Sequence, residues 1–575
     1  MFKKKKTIVF LLSIILLGSF LRLYKLDKFP PSLFGDEVDV GYQAYSILKT
    51  GKDYLGQKWP ISFHSIADWR TPLFLYADVP FVAFFGLNEW GVRLPAALFG
   101  ILTIPAIYFL AKFFFKDEKI GLLSALCLVL SMWHLQYSRA AFEVTQMLFF
   151  LIVGLCFFFL GLEKEKFLSL SAVFLALAPY SYSTAKFFLP ILLVFLTIIF
   201  FRKLKKISRK SISISIFLLF ILLLPMGYDI FFGKAADRFS ILSVFSDPTV
   251  IPQVGFDRQT DLFVETNGQF AVGTSPSFLS RVFHNKFLSW STALIRNYFR
   301  VFSTEFLFTN GDINYRHSVQ GGLGEFYWLD AVFVIIGFYY LFFKHKNAET
   351  KKFLLCWLFF SPIPSVLTRD GGNHATRLIL ILPPLLILIA LGINCFLQLM
   401  TKKHLGKIII AVVFLGYLGQ FFIYLHRYYI HYPLDSEEWW HCGYKEMASY
   451  IKENENEYDY IVISDQDQPP LIFLLFWLKI DPKIPQNNKL QWTEISDAVS
   501  ADNIPQTKYY IGHVSEERIK ANGFIGTLKP NILYFLPGSE IGKDFRYEPV
   551  PNSIKLLKTI YYPSGRVAKY IMSGT

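Results

Sequence analysis

Charged residues are scarce in this sequence. Asp, Glu, Lys and Arg make up 18% of the 575 residues, whereas hydrophobic residues make up 53% and the mean hydropathy is +0.37. Soluble proteins are nearer one quarter charged. The apolar residues also come in runs of membrane-spanning length, such as 7–23 and 408–425. The composition therefore excludes an ordinary soluble enzyme and predicts a polytopic membrane protein.

Cysteine is also rare, and its placement excludes a disulfide scaffold. Of the five cysteines, Cys127, Cys156, Cys356 and Cys395 lie within apolar runs, and Cys442 is expected in an aqueous segment. A disulfide framework or a cysteine-based metal site needs several cysteines together in an aqueous domain. The polar C-terminal part of the sequence has no Gly-rich phosphate loop, and the chain has no internal repeat or low-complexity segment.

Positive charge is in excess, with a formal net charge of +14. The lysines and arginines gather in short clusters between apolar runs, which is the pattern that orients a protein in a bilayer rather than one that binds nucleic acid. The first cluster, Lys3 to Lys6, precedes an apolar run without a small-residue cleavage site. We therefore expect an uncleaved first span.

The apolar runs predict about eleven transmembrane helices. They lie near 7–23, 91–113, 119–137, 142–162, 167–183, 186–202, 211–232, 326–344, 352–367, 377–399 and 407–425. The short basic connections then fall on one side, which the positive-inside rule makes cytoplasmic. All long extramembrane segments fall on the other side.

The long segments on that outer side are 24–90, 233–325 and everything after about 426. Helical spacing of apolar residues in 24–90 predicts helices lying along the membrane surface. The tail contains short apolar runs typical of buried strands, near 458–464, 508–512 and 531–536, with helical stretches between them. The sequence thus predicts a transmembrane domain over 1–432 and an extracytoplasmic α/β domain over 433–575.

An acidic stretch directly follows the first span and carries three carboxylates within four residues: Asp36, Glu37 and Asp39. A reacting hydroxyl at a membrane face needs a positioned base, and one carboxylate can supply it while a second tunes or orients it. In a soluble protein the same stretch would more often be a solvated turn before a helix. On the outer face of a membrane protein a catalytic role becomes a serious alternative.

Other ionisable groups are predicted at the same membrane boundary, where they are costly unless paired or wet. They are Asp68, Arg70, Arg139, Glu143, Lys186, Arg316, His317, Arg369, His374 and Arg377. Arginines suit a phosphate because the guanidinium forms paired hydrogen bonds to its oxygens. The alternative for each arginine is ordinary contact with phospholipid headgroups. Glu143 follows Arg139 by one helical turn, so these two either pair or position an acceptor.

The sequence implies no cofactor firmly. His64, His284 and His317 show no metal-ligand spacing with one another, so we predict no histidine-based zinc site. The oxygens of Asp36, Glu37 and Asp39 leave a divalent cation open, although nothing in the sequence fixes a coordination geometry.

The order of these features resembles a known class. One span, then Phe34-Gly35-Asp36-Glu37 opening a helix, resembles the first outer loop of GT-C membrane glycosyltransferases, the class that contains protein O-mannosyltransferases and lipid A aminoarabinose transferases. The stretch from Asp68 to Leu73 resembles the family's Glu-Lys-Pro-Pro-Leu, with Trp69 standing in the place of the Glu. Arg93-Leu94-Pro95 opens the second span as in the family.

The resemblance implies an inverting transfer of a sugar from a polyprenyl phosphate to an acceptor hydroxyl on the outer face of the cell membrane. It implies Asp36 as the base beside Glu37, and Arg70 as the group that contacts the phosphate. Arg377 and Arg316 are further candidates for the phosphate, and Glu143, Arg139, Asp68, His317 and His374 are candidates for acceptor binding or support. The sugar, and whether the acceptor is protein, lipid or polysaccharide, stay open.

Other classes of protein remain as alternatives. A transporter would carry its ionisable groups midway across the bilayer, whereas here they gather at one surface. A ligase using a diphosphate-linked glycan and a non-catalytic membrane scaffold are not excluded by the sequence.

Overall fold

The computed structural model describes residues 2–65, 69–233, 236–269, 273–402, 404–466, 470–487, 491–496, 499–514 and 528–575. The chain is helical up to about residue 457, apart from one short two-stranded ribbon, and carries a β-sheet in its C-terminal part. This is the α-helical membrane fold with a C-terminal α/β domain that the sequence predicts.

The first half of the chain forms the following helices. They are α1 (Phe2–Leu23), α2 (Gly35–Thr50), α3 (Leu73–Phe85), α4 (Glu89–Phe115), α5 (Glu118–Leu130), α6 (Met132–Tyr137), α7 (Val144–Gly161), α8 (Phe167–Ser181), α9 (Thr184–Ile199), α10 (Phe201–Leu204), α11 (Arg209–Phe232), α12 (Asp237–Leu242), α13 (Val250–Glu265), α14 (Phe278–Phe283) and α15 (Lys286–Val301). Strands β1 (Phe63–His64) and β2 (Trp69–Arg70) pair antiparallel between α2 and α3.

The second half continues with helices to the start of the C-terminal sheet. They are α16 (Trp328–Tyr339), α17 (Ala348–Phe360), α18 (Ile363–Val366), α19 (Ala375–Leu378), α20 (Leu382–Met400), α21 (Gly406–His426), α22 (Tyr432–Asp435) and α23 (Tyr444–Asn454). Short π-helical segments cover Glu305–Thr309, Tyr340–Lys344 and Arg427–His431.

Six helical segments among the described residues are long and apolar enough to cross a bilayer by themselves. They are Lys5–Leu23, Glu89–Phe115, Val144–Gly161, Arg209–Phe232, Ala375–Met400 and Gly406–Asp435. Helices also occupy the other predicted spans, but several of these helices are shorter or interrupted. The predicted span 119–137 is divided at Ser131, whose hydroxyl accepts a hydrogen bond from the His134 amide and starts α6.

The helical stretch near 278–302, in the second long outer segment, is likewise divided. Helix α14 ends at Phe283, and α15 begins after Asn285, whose side chain accepts a hydrogen bond from the Leu288 amide. An N-cap of this kind satisfies backbone donors that a helix cannot satisfy internally.

The C-terminal part contains a sheet whose described strands are β3 (Tyr460–Ile463), β4 (Gln491–Ser496), β5 (Val499–Asn503), β6 (Tyr509–Val514), β7 (Ile532–Pro537), β8 (Ile554–Tyr561) and β9 (Val567–Gly574). The strand order is β4-β5-β6-β3-β7-β9-β8. β3 runs parallel to both β6 and β7, and the other pairs are antiparallel. Helices α24 (Leu471–Trp477), α25 (Lys483–Asn487) and α26 (Gly538–Ile541) lie between the strands.

Helix α2 packs directly against this C-terminal part. Val38 and Tyr42 of α2 belong to the same buried cluster as Phe473 and Phe476 of α24. The Tyr42 hydroxyl donates to the carbonyl of Ile480 at 3.0 Å. The helix that carries the acidic stretch is therefore held between the membrane helices and the sheet domain.

Candidate active site

Asp36 lies in the first turn of α2, and its side chain is 56% exposed. Its Oδ1 atom is 2.6 Å from Nη2 of Arg70, whose own side chain is only 5% exposed. A charged carboxylate at a helix N-terminus is favoured by the exposed backbone N–H groups there. The structure thus leaves this carboxylate accessible while holding it in one orientation.

Arg70 joins three carboxylates, two from α2 and one from the start of α7. Besides Asp36, its guanidinium lies 3.3 Å from Oε1 of Glu143 and 3.6 Å from Oδ2 of Asp39. Asp39 is 1% exposed and Glu143 is 12% exposed. The sequence predicted Arg70 as a phosphate ligand. The structure places it at the centre of three carboxylates, those of Asp36, Asp39 and Glu143, which together are called the acidic group below. A phosphate on Arg70 would therefore have to approach beside these carboxylates.

Glu37 points away from the accessible surface although it is the neighbour of Asp36. Its carboxylate is fully buried and bound by Arg93 through two hydrogen bonds, from Nε at 2.9 Å and Nη2 at 3.0 Å. It also accepts hydrogen bonds from the amides of Ala141, at 3.0 Å, and Phe34, at 3.4 Å. These contacts fix the start of α2 against α4, so the geometry gives Glu37 a positioning role.

Arg139 and Glu143 are directed to different parts of the structure. Arg139 donates to the backbone carbonyls of Leu21, at 2.7 Å, and Tyr24, at 2.8 Å, and to the hydroxyl of Tyr428. It therefore ties the end of α1 to the loop before α7. Glu143 contacts Arg70 instead. Arg139 and Glu143 therefore do not form the pair that their helical spacing would allow.

Arg316, which the sequence predicts as a candidate for the phosphate, lies at the rim of the site beside Trp439 of the C-terminal part, a residue that the sequence did not predict. The guanidinium of Arg316 lies over the rings of Phe34, at 5.0 Å, and Trp439, at 5.5 Å. Burial lowers the pKa of Arg316, and the charge of Asp36 opposes that shift. Arg316 therefore lies within the electrostatic reach of Asp36.

His441 contacts the helix that carries Asp36. Its Nδ1 accepts a hydrogen bond from the Gly35 amide at 3.2 Å. Burial, and then the nearby charge of Arg316, lower the pKa of His441 to about 3. The ring is therefore neutral near pH 7, and because Nδ1 is an acceptor the proton is assigned to Nε2. Nε2–H is thus available as a donor.

A cavity of about 400 Å³ opens beside His441. Its walls include Tyr444, Ser539 and the buried Lys569, whose ammonium lies 4.5 Å from the centre of the Tyr444 ring. Aromatic and hydroxyl groups beside a cation form a polar cavity wide enough for a sugar-sized group. The wall residue His441 also contacts the start of α2 through the Gly35 amide.

A second cavity, of about 340 Å³, lies between α9, α11 and the segment before α19. Lys186 and Arg377 contribute two cations to its lining, while Phe187, Ile230 and Phe239 make much of the rest apolar. Two cations beside an apolar volume fit an amphiphile with an anionic head.

A hydrogen bond from the residue after β2 links the acidic group around Arg70 to the wall of the second cavity. The hydroxyl of Thr71, the residue after Arg70, donates to the carbonyl of Ser181 at 2.8 Å. Tyr182 and Ser183, the next residues of the chain, line the cavity. Arg377 itself donates from Nη1 to the Thr368 hydroxyl at 2.7 Å.

His317 and His374 lie together at another edge of this region, with ring centres 4.8 Å apart. Nδ1 of His317 is 2.8 Å from Oδ2 of Asp312.

Asp68 lies outside the described residues. Trp439, Trp440 and His441, which the sequence did not predict, stand together in the polar segment that follows the last apolar run, and this cluster of rings is the one signal that could have found them.

The comparisons with known proteins give a family match in the first half of the chain and similar solved structures. Residues 70–228 match the model of the dolichyl-phosphate-mannose-protein mannosyltransferase family. No curated protein matches the chain. Among solved structures, apo ArnT from Cupriavidus metallidurans is 12% identical, with coverage of 100% of this chain and 98% of ArnT and a TM-score of 0.44.

The archaeal oligosaccharyltransferase of Archaeoglobus fulgidus is also similar. Its apo form is 15% identical over 83% of this chain, with a TM-score of 0.45. The chain spans 64% of the length of that oligosaccharyltransferase. With its helical membrane fold and the family match over residues 70–228, this chain resembles the GT-C class of membrane glycosyltransferases, as the first long loop predicts.

Proposed function

We propose that this protein transfers a sugar from a polyprenyl-phosphate carrier to an acceptor hydroxyl, with inversion at the anomeric carbon. The observation that carries the proposal is the accessible carboxylate of Asp36, held by Arg70 and linked through Thr71 to a cavity containing two cations. The match to a family named for a lipid-phosphate sugar donor supports the same chemistry.

The donor phosphate would bind in the cavity lined by Lys186 and Arg377, with the polyprenyl chain running along its apolar walls. Both cations would balance the charge that grows on the phosphate as the glycosidic bond breaks. Arg316, which interacts electrostatically with Asp36, would contact the sugar-phosphate from the other side. No nucleotide is needed, because the lipid phosphate is itself the leaving group.

Asp36 would act as the general base. An acceptor oxygen attacks the anomeric carbon, its proton passes to a carboxylate oxygen of Asp36, and the bond from carbon to the phosphate oxygen breaks on the opposite face. Arg70 orients Asp36 through the 2.6 Å contact. Glu37 and Arg93 hold the helix start in place, so they would act through Asp36 rather than on the substrate.

The acceptor would enter from the sheet domain. The cavity beside His441 adjoins the start of α2, and the Nε2–H of His441 would donate to an acceptor oxygen. We place the active site and residues 433–575 outside the cytoplasm, because the short basic connections between spans define the cytoplasmic side.

The test is release of polyprenyl phosphate from a panel of radiolabelled polyprenyl-phosphate sugars, with a cell-envelope extract as the source of acceptor. We expect one donor to be consumed by the wild type and transfer to collapse in Asp36→Asn. Asp27→Asn, which changes an acid of the same loop, is the matched control and should keep full activity. Release of polyprenyl diphosphate from a glycan-diphosphate donor, with none of these monophosphates consumed, would identify a ligase instead.

A further inference from the structure

An aspartate and two histidines meet beside Arg316, although they come from two distant segments of the chain. Asp312 and His317 belong to the loop before α16, and His374 directly precedes α19. One potential ligand atom from each lies within 4.8 Å of the other two. Asp312 is 5% exposed at its side chain and His317 is 12% exposed, so these two side chains are largely removed from water, and His374 is half-buried.

Backbone amides orient the Asp312 carboxylate. Its Oδ1 accepts from the Asn314 amide at 2.9 Å, and its Oδ2 accepts from the Ala375 amide at 2.8 Å. Oδ2 is also 2.8 Å from Nδ1 of His317. Metal-binding carboxylates are commonly held by such hydrogen bonds from outside the coordination sphere.

The imidazole rings are held by aromatic neighbours. The His317 ring packs on Tyr137, at 6.1 Å between ring centres, and on Phe142, at 5.8 Å. His374 lies 4.8 Å from His317 with the ring planes inclined by 34°. The rings thus present nitrogen atoms on the side of the cluster where Asp312 lies.

We propose that Asp312, His317 and His374 bind one divalent transition-metal ion of the zinc type. Two imidazoles and one carboxylate form a three-ligand set that suits Zn²⁺ and leaves a fourth position for water or substrate. Bonds of about 2.0–2.2 Å bring ligand atoms to about 3.3–3.5 Å from one another, which small side-chain rotations achieve from the present separations. The ion replaces the proton between Asp312 and His317, and that proton goes to solvent.

This site is distinct from the acidic group around Arg70. It joins the loop that carries Arg316 to the segment that carries Arg377, so a bound ion would fix two arginines relative to each other. His317 and His374 are separated by two predicted membrane spans, so no sequence motif announces the site. The inference does not depend on the proposed transferase activity.

The test is titration of Zn²⁺ into the tag-free, full-length protein in detergent, after removal of metal with a chelator. The wild type is expected to bind one equivalent, and His374→Ala should weaken that binding by about 100-fold or more, because a ligand is lost. His284→Ala is the matched control. His284 also lies near two carboxylates, at 3.8 Å from Asp257 and 3.0 Å from Asp261, and its loss should leave the titration unchanged.

A fold-sensitive readout separates loss of a ligand from loss of structure. Zn²⁺ should raise the melting temperature of the wild type and of His284→Ala, and should leave that of His374→Ala unchanged. Asp312→Asn, which keeps an acceptor oxygen for one of the two amides, should also lose the Zn²⁺ response while eluting as a single species. Equal Zn²⁺ affinity in wild type and His374→Ala, or no binding by the wild type, would overturn the proposal.

Discussion

At the scale of residues, two adjacent carboxylates have opposite environments. Successive residues of a helix point about 100° apart, so the first turn of α2 can expose Asp36 and bury Glu37. The negative charge of the buried Glu37 is compensated by Arg93. Arg93 is itself fully buried and also donates to the carbonyls of Leu26 and Pro30. A buried pair of this kind is costly to break from one side, because the remaining charge has no partner.

Arg93→Met should therefore lower the free energy of unfolding by about 3–5 kcal/mol, since it leaves the Glu37 carboxylate buried and uncompensated. Thermal unfolding in detergent measures the effect. The double variant Glu37→Gln/Arg93→Met removes both charges and should recover much of the loss. A double variant as unstable as Arg93→Met would contradict the assignment of Glu37 as a buried charge that Arg93 compensates.

At the scale of elements, the position of α2 depends on close packing against α24. A Cβ added at Gly41 would lie 2.6 Å from Phe476 and 2.6 Å from Val92, so the helix fits only because this position carries no side chain. Asp36 lies just over one turn earlier on the same helix. A shift of α2 would therefore move Asp36 relative to Arg70.

Gly41→Ala is expected to destabilise the protein by about 1–3 kcal/mol through overpacking and to lower sugar transfer as α2 shifts. Gly227→Ala in α11 is the control, because no atom of the described chain lies within 4 Å of a Cβ there. The control should unfold at or slightly above the wild-type temperature, since Ala favours helix. Equal stability of both variants would show that α2 is not held in the way described.

Local sequence pattern predicts the elements but not their assembly. Hydrophobic run length predicts the spans, and the resemblance of Phe34-Gly35-Asp36-Glu37 to a family loop predicts that a helix opens there. The contact of Tyr42 with Ile480 joins positions 438 residues apart, and no local signal encodes such a pair. For the same reason the sequence placed Arg70 at a phosphate without revealing Asp39 and Glu143 beside it. Strands β8 and β9 were missed because their faces mix charged and apolar residues, as the sequence of Lys555 to Lys558 shows.

At the scale of the whole molecule, the candidate site lies where three bodies meet: the membrane helices, the first long loop and the sheet domain. The cavity lined by Lys186 and Arg377 lies among helices predicted to span the membrane. The cavity beside His441 faces the sheet domain. This arrangement would let a lipid donor and a polar acceptor approach Asp36 from different sides.

Arg377→Ala and Lys186→Ala should each weaken binding of polyprenyl phosphate by about 10-fold or more, because each removes a charged donor to the phosphate. Binding of a fluorescent polyprenyl phosphate to the purified protein measures this. Arg369→Ala is the control, since Arg369 donates to the carbonyl of Ile241 and is not among the lining residues of the cavity. Unchanged affinity in both cavity variants would move the donor site elsewhere.

The proposed mechanism depends on Asp36 taking the proton of the acceptor. The most direct measurement compares donor binding and single-turnover sugar transfer in one preparation of Asp36→Asn. We expect carrier affinity within about 3-fold of wild type and a transfer rate lower by about 10²–10⁴-fold, because a general base is lost. Transfer at the wild-type rate by a protein that still binds carrier would contradict it.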